Sequence, residues 1–82
     1  MAKLFSVNPQ DDYTLILVFD GGMQRLFDAR PYLDKGIFTE PKDLSYFKRA
    51  VVAFGTVQWP HEQDFAPETL HLESKELAKS EF

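Results

Sequence analysis

The chain alternates short apolar runs with clusters of turn-forming residues, and no run is long enough for more than one strand or two turns of helix. "KLFSV" places Phe5 and Val7 on one side and predicts a short first strand, which the polar "NPQDD" ends. "DYTLILVF" is rich in β-branched and aromatic residues, and "DGG" behind it is a turn signal because glycine takes positive φ without a steric penalty. "MQRLFDA" then returns as the second strand of a hairpin. With a two-residue turn, one face carries Tyr13, Leu15, Leu17, Phe19, Gln24, Leu26 and Asp28; the other carries Thr14, Ile16, Val18, Met23, Arg25, Phe27 and Ala29. A three-residue loop would exchange the faces of one strand. Both faces hold apolar side chains, so the hairpin is expected to be central in its sheet, with helix on one side and more chain or a second subunit on the other.

"RPYLDKGIF" opens with Pro31 and stops at Gly36, which suits a short helical or 3₁₀ turn. In "EPKDLSYFKRA", Asp43 is a candidate N-cap and Leu44, Phe47 and Val51 recur near the helical period, predicting a two-turn amphipathic helix over residues 43–50. "VVAF", "GT" and "VQW" predict a second hairpin with Gly55 at the first central position of a type II′ turn, Phe54 opposite Val57 and Val52 opposite Trp59. "APETLHLE" begins with Pro67 and carries Glu68 in its first turn, both suited to the start of a last short helix. The expected fold class is α+β: a small antiparallel sheet of about five strands in two hairpins, with two or three short helices. Residues 1–72 form a single domain in this reading, and residues 73–82 are a charged tail expected to fray.

Composition sharpens that picture. With 82 residues the chain makes one domain, and 44% hydrophobic and 15% aromatic content supplies a core without staples. The absence of cysteine excludes a disulfide framework, thiol catalysis and zinc knuckles, and fits a cytoplasmic location. No window approaches the run of about eighteen apolar residues of a membrane span, and the N-terminal run is too short for a signal-peptide core. Nine basic residues against thirteen acidic ones give a net charge of −4, and only Lys48 and Arg49 adjoin, which argues against a phosphate-binding surface.

Candidate chemistry gathers in "WPHEQDFAPETLH". His61, Asp64, Glu68 and His71, with Glu62 between them, are metal-ligand types, and Glu68-x-x-His71 has a spacing that shares one helix face. Such pairs normally come from two helices, and this chain has one copy, so solvated acids and rim histidines around a capping Asp64 are the reading preferred. The serines (Ser6, Ser45, Ser74 and Ser80) lack a nucleophile elbow, and Lys35-Gly36 lacks a phosphate loop. No catalytic residue, cofactor or metal is therefore assigned. Asp28 and Arg30 are expected to form an ion pair or to be solvated. Among the aromatics, Phe5, Phe19, Phe27, Phe47 and Phe54 fall at core phases of their elements, leaving Tyr32, Tyr46, Phe38, Trp59 and Phe65; of these Tyr32, Phe38, Trp59 and Phe65 are the candidate interaction surface.

In order, "DYTLILVFDGG", "RLFDARPYL", "GIF", a helix ending at Phe47, "GTVQWP", Asp64 and "APETLH" resemble the domain of unknown function 2442 family, small bacterial and archaeal α+β proteins, over Leu4 to His71. Departures are Pro41 where Leu is usual, Glu62 and Gln63 in a loop that often holds Gly, and His71 for a common Tyr. The resemblance implies no activity or catalytic residues. It does imply a partner, since such proteins are often encoded beside another small protein in a toxin–antitoxin-like arrangement. The leading expectation is thus a cytoplasmic protein-interaction module, antitoxin-like, binding a neighbour-encoded protein or a further copy of itself. The alternatives are a small metal-dependent enzyme using His61, Asp64, Glu68 and His71, or a weak nucleic-acid-binding regulator.

Overall fold

The computed structural model describes residues 3–33 and 40–77. Among the described residues there are six short strands, β1 (Leu4–Pro9), β2 (Thr14–Phe19), β3 (Gln24–Asp28), β4 (Val51–Ala53), β5 (Thr56–Gln58) and β6 (Lys75–Glu76), and two short α-helices, α1 (Leu44–Phe47) and α2 (Pro67–Glu73). The fold is α+β, with a four-stranded antiparallel sheet in the order β1-β2-β3-β6 and a separate β4-β5 ribbon. Among the described residues no helix is long and apolar enough to cross a membrane.

The β2-β3 loop is the three-residue one, Asp20 to Gly22, with Gly21 and Gly22 at φ 85° and 83°. Leu15 therefore pairs with Phe27 and Leu17 with Arg25, and the face assignment made for a two-residue turn is exchanged on β3. Phe27 and Ala29 join Leu15, Leu17 and Phe19 in the core. The opposite face carries Ile16, Val18 and Leu26, all half-buried. On β1 an irregularity between Leu4 and Ser6 lets Leu4 face Phe19 and Val7 face Leu17, so both turn inward. Phe5 is thrown outward and stands 74% exposed, against the expectation that it shared the core with Val7.

The second hairpin is also re-registered. Val52 pairs with Val57 and Ala53 with Thr56, so Phe54 and Gly55 are the two turn residues. Both have positive φ, 54° and 78°, as a type I′ turn requires, in place of the expected type II′ turn begun by Gly55. Phe54, at the tip, is 91% exposed and is not a core residue.

Asp43 caps α1 as expected, its side chain accepting from the Ser45 N–H at 3.0 Å, but the helix stops at Phe47 after one turn. The β-branched Val51 and Val52 enter β4 instead of prolonging it, and Val51 is exposed. Pro31 opens a 3₁₀ turn over Arg30–Tyr32, while the rest of that expected turn, with Gly36 and Phe38, lies outside the described residues. Pro67 starts α2. Its last residue is Glu73, Ser74 behind it is buried, and Lys75 pairs with Leu26 and Glu76 with Arg25. The tail expected to fray from residue 73 thus begins as a sheet edge; residues 78–82 lie outside the described residues.

Two layers result. The inner face of the sheet (Leu4, Leu15, Leu17, Phe19, Phe27) packs on Phe47, Val57, Trp59, Phe65 and Leu70, which come from α1, β5, the following loop and α2. Tyr13, Tyr32, Leu44, Tyr46 and Val52 close its margins.

Candidate functional site

The loop after β5 is built by backbone bonds: the Glu62 N–H donates to the Trp59 carbonyl and the Trp59 N–H to that of Gln63, both at 2.9 Å. Gln58 and Asp64 bridge just beyond. Closing this loop puts Glu62 at φ 69°, a left-handed value uncommon outside glycine, in the loop that the resemblance expected to hold a Gly often. On it, the His61 ring Nδ1 lies 2.8 and 2.7 Å from the two carboxylate oxygens of Glu40. Glu40 also accepts from Gln63 Nε2 at 2.9 Å, Gln63 Oε1 accepts from the Tyr46 hydroxyl at 2.6 Å, and that hydroxyl accepts the His61 N–H at 3.0 Å. The four residues form a closed ring of hydrogen bonds that ties residues 40–42 and α1 to the loop. The His61 bond holds the Glu40 carboxyl below its ordinary range, and Gln63 adds to it against the opposing effect of burial.

The other candidate ligands are elsewhere. His71, on α2, sets its ring 4.5 Å from that of Phe19. Asp64 and Glu68 are exposed. Among the described residues no group of three or more histidine, aspartate or glutamate side chains is placed to hold a metal ion, so His61, Asp64, Glu68 and His71 do not make a site together. What sequence reasoning missed is Glu40, 21 residues from His61, for which the chain carries no local signal.

The aromatic candidates divide similarly. Trp59 and Phe65 are only 2% and 5% exposed, so they are core and offer no interaction surface. The Trp59 Nε1–H donates to the Phe47 carbonyl at 2.9 Å, and the Phe65 ring meets Phe27, Tyr32 and Trp59 edge-on at 4.9, 5.2 and 5.8 Å. Tyr32 stacks on Phe27 at 5.7 Å and donates its hydroxyl to Glu73. That bond, then burial and the carboxylate charge, push its phenol up to about 12. Phe38 lies outside the described residues. Asp28 and Arg30 do pair, through bonds of 2.9 and 2.8 Å.

Among the described residues, the large apolar side chains that do face solvent are Phe5, Met23, Val51, Phe54 and Leu72. Three of them, Phe5, Val51 and Phe54, lie on or at the end of the neighbouring strands β1 and β4. The signal for Phe54 was present as "FG" between two β-branched runs, once the glycine is read as the second turn residue.

Searches of curated proteins and of solved structures give no match. The family model described as a protein of unknown function (DUF2442) matches residues 5–76, nearly the whole described fold, and the chain belongs to that family.

Proposed function

We propose that this chain is a cytoplasmic protein-binding module, the antitoxin-like member of a two-gene pair, and that the tip of its second hairpin is the anchor for its partner. The observation that carries this reading is Phe54, 91% exposed at φ 54°. The first position of a type I′ turn is the place for Asn, Asp or Gly, which tolerate positive φ. Phenylalanine there is disfavoured by the backbone and by water at once. Burial in a partner pocket relieves the second penalty at roughly 25 cal/mol per Å² of apolar surface, and buried aromatics are the usual anchors of protein interfaces. Phe5 and Val51 are likewise exposed, on β1 and β4, two strands that lie close to one another. The net charge of −4 favours a partner whose pocket has a basic rim. The lack of cysteine suits a reducing compartment.

The test is co-expression with the protein encoded beside it, comparing the wild type with Phe54→Asn. Asparagine suits the turn, so the variant's midpoint of unfolding is expected to hold or rise while partner affinity falls at least about tenfold, as for an aromatic hot spot. Failure of the wild type to co-purify, or equal affinity of the two chains, rejects the reading.

A further inference from the structure

The polar ring beside α1 holds an exposed histidine more tightly than a solvated side chain needs. His61 is 66% exposed at its side chain, yet it is fixed in three ways. Its Nδ1 lies 2.8 and 2.7 Å from the two Glu40 oxygens, its backbone N–H donates to the Tyr46 hydroxyl at 3.0 Å, and its ring rests against that of Tyr46 at 5.7 Å. Fixing a side chain costs rotamer entropy, and the left-handed Glu62 beside it adds backbone strain to the same loop. Order and strain together at an exposed position mark a side chain held for use.

The geometry also selects the nitrogen that is available. The Glu40 carboxyl is held below its ordinary range, so near neutral pH it is ionised and can only accept hydrogen bonds. Nδ1 therefore carries the proton of the neutral ring and Nε2 keeps its lone pair. Among the described residues Nε2 has no hydrogen-bond partner. As a metal ligand it would need companions, and no group of three metal-binding side chains is present among the described residues. As a general base it would need a hydroxyl to activate, and that of Tyr46 is already committed to Gln63 and to the His61 N–H. The remaining use of this nitrogen is as the nucleophile itself.

We propose that His61 is a phosphoacceptor, whose Nε2 takes a phosphoryl group from an acyl phosphate. The Nε2 lone pair forms the N–P bond, the P–O bond to the donor breaks, and the donor's carboxylate leaves with that electron pair. The Nδ1 proton stays between the ring and Glu40, whose charge offsets the positive charge that the ring takes on. An acyl phosphate suits this site because its leaving group is a weak base. Transfer from a nucleotide needs a clamp of cations around the phosphates, whereas this acidic chain has no phosphate loop. Exposure suits it as well, since a donor protein can reach Nε2 without a cleft in this chain.

The experiment is incubation of the untagged full chain with acetyl phosphate, read by intact mass and by phosphorus NMR, which separates Nε2 from Nδ1 phosphohistidine. The expected product is one phosphoryl group on His61 Nε2, with His71, packed on Phe19, reacting more slowly. Glu40→Ala frees Nδ1, so Nδ1 product is expected to appear and the rate at Nε2 to fall about 10–100-fold, as when the carboxylate behind a metal-bound histidine is removed. Glu40→Gln, whose amide oxygen still accepts from the Nδ1–H, is expected to keep the product on Nε2. Circular dichroism and an unchanged His71 rate establish that both variants are folded. Chain isolated from its source cell under alkaline conditions is expected to carry an acid-labile phosphoryl group on His61. Equal reaction of the two histidines, a wild-type mixture of Nε2 and Nδ1 products, or a folded Glu40→Ala that reacts as the wild type does would each overturn the proposal. So would chain from the source cell with no such group on His61. Phe54→Asn is expected to react at the wild-type rate, so failure here is separate from failure of the hairpin-tip reading.

Discussion

At position 56 a single hydroxyl joins the ribbon to the loop leading into α2. Thr56 is buried, and its Oγ1–H donates to the Phe65 carbonyl at 2.6 Å inside the core. Thr56→Val keeps the shape and removes this donor to a buried carbonyl, a loss expected to cost about 1–3 kcal/mol. Chemical denaturation should show the midpoint falling with an unchanged slope; an unmoved midpoint would mean that water reaches the carbonyl. Interactions of this reach are what the sequence conceals at residue scale. The Asp43 cap was legible because donor and acceptor lie two positions apart. Tyr13, at φ 65°, was not, because what holds it is distant: its hydroxyl donates to the Lys42 carbonyl at 2.6 Å and its ring meets Phe47 edge-on at 5.2 Å. Glu62 is the same case, a left-handed residue that the loop imposes.

Between elements, the decisive contact is the guanidinium of Arg25 on β3. Its Nε–H donates to Ser74 Oγ at 2.6 Å and its Nη2 to the carbonyls of Ser74 and His71 at 2.7 and 3.3 Å, at the C-terminal end of α2. A cation there satisfies orphan carbonyls and complements the helix dipole. It also delivers Lys75 and Glu76 to the free edge of β3, where the Leu77 N–H donates to the Gln24 carbonyl at 3.0 Å. Arg25→Met keeps an apolar stem and deletes these bonds. The expected result is a loss of about 1.5–3 kcal/mol, the worth of charged hydrogen bonds, concentrated in β6. Hydrogen exchange at Leu77 reads it directly: protection there should vanish while that of Leu17 in β2 persists, and retained protection at Leu77 would contradict the role given to Arg25. The strand was invisible in sequence because "KE" has no β propensity and is placed by a side chain 49 residues away. The two hairpins were visible through alternation and glycine, yet their registers were not. A turn of two or three residues fits "DGG" equally well, and the choice flips a whole strand.

For the molecule as a whole, the α+β class and its two hairpins followed from the spacing of short apolar runs, whereas the cover expected on both faces of the first hairpin is seen, among the described residues, on one. The polar ring that locks the second layer together had no such pattern behind it, and it gives the fold a pH dependence whose sign is fixed. Glu40 binds its proton less readily in the folded chain than in the unfolded one, chiefly because of His61. Its stabilising contribution is therefore fully present above the unfolded carboxyl value of about 4.3 and is lost as pH falls through the lower folded value. Asp12 and Asp28 are shifted down as well, by the Thr14 and Arg30 hydrogen bonds, but their partners are two residues away and much of each interaction can persist after unfolding. Glu40 and His61 meet only in the fold. The melting temperature should thus decline in the acid range below about pH 4.5, and Glu40→Gln, which cannot titrate, should decline less steeply over the same range. Because the pair is solvent-exposed, added salt should narrow the difference between the two curves. Parallel melting curves at low salt would show that the ring is held by Tyr46 and Gln63 alone, with the Glu40 charge contributing nothing to the fold.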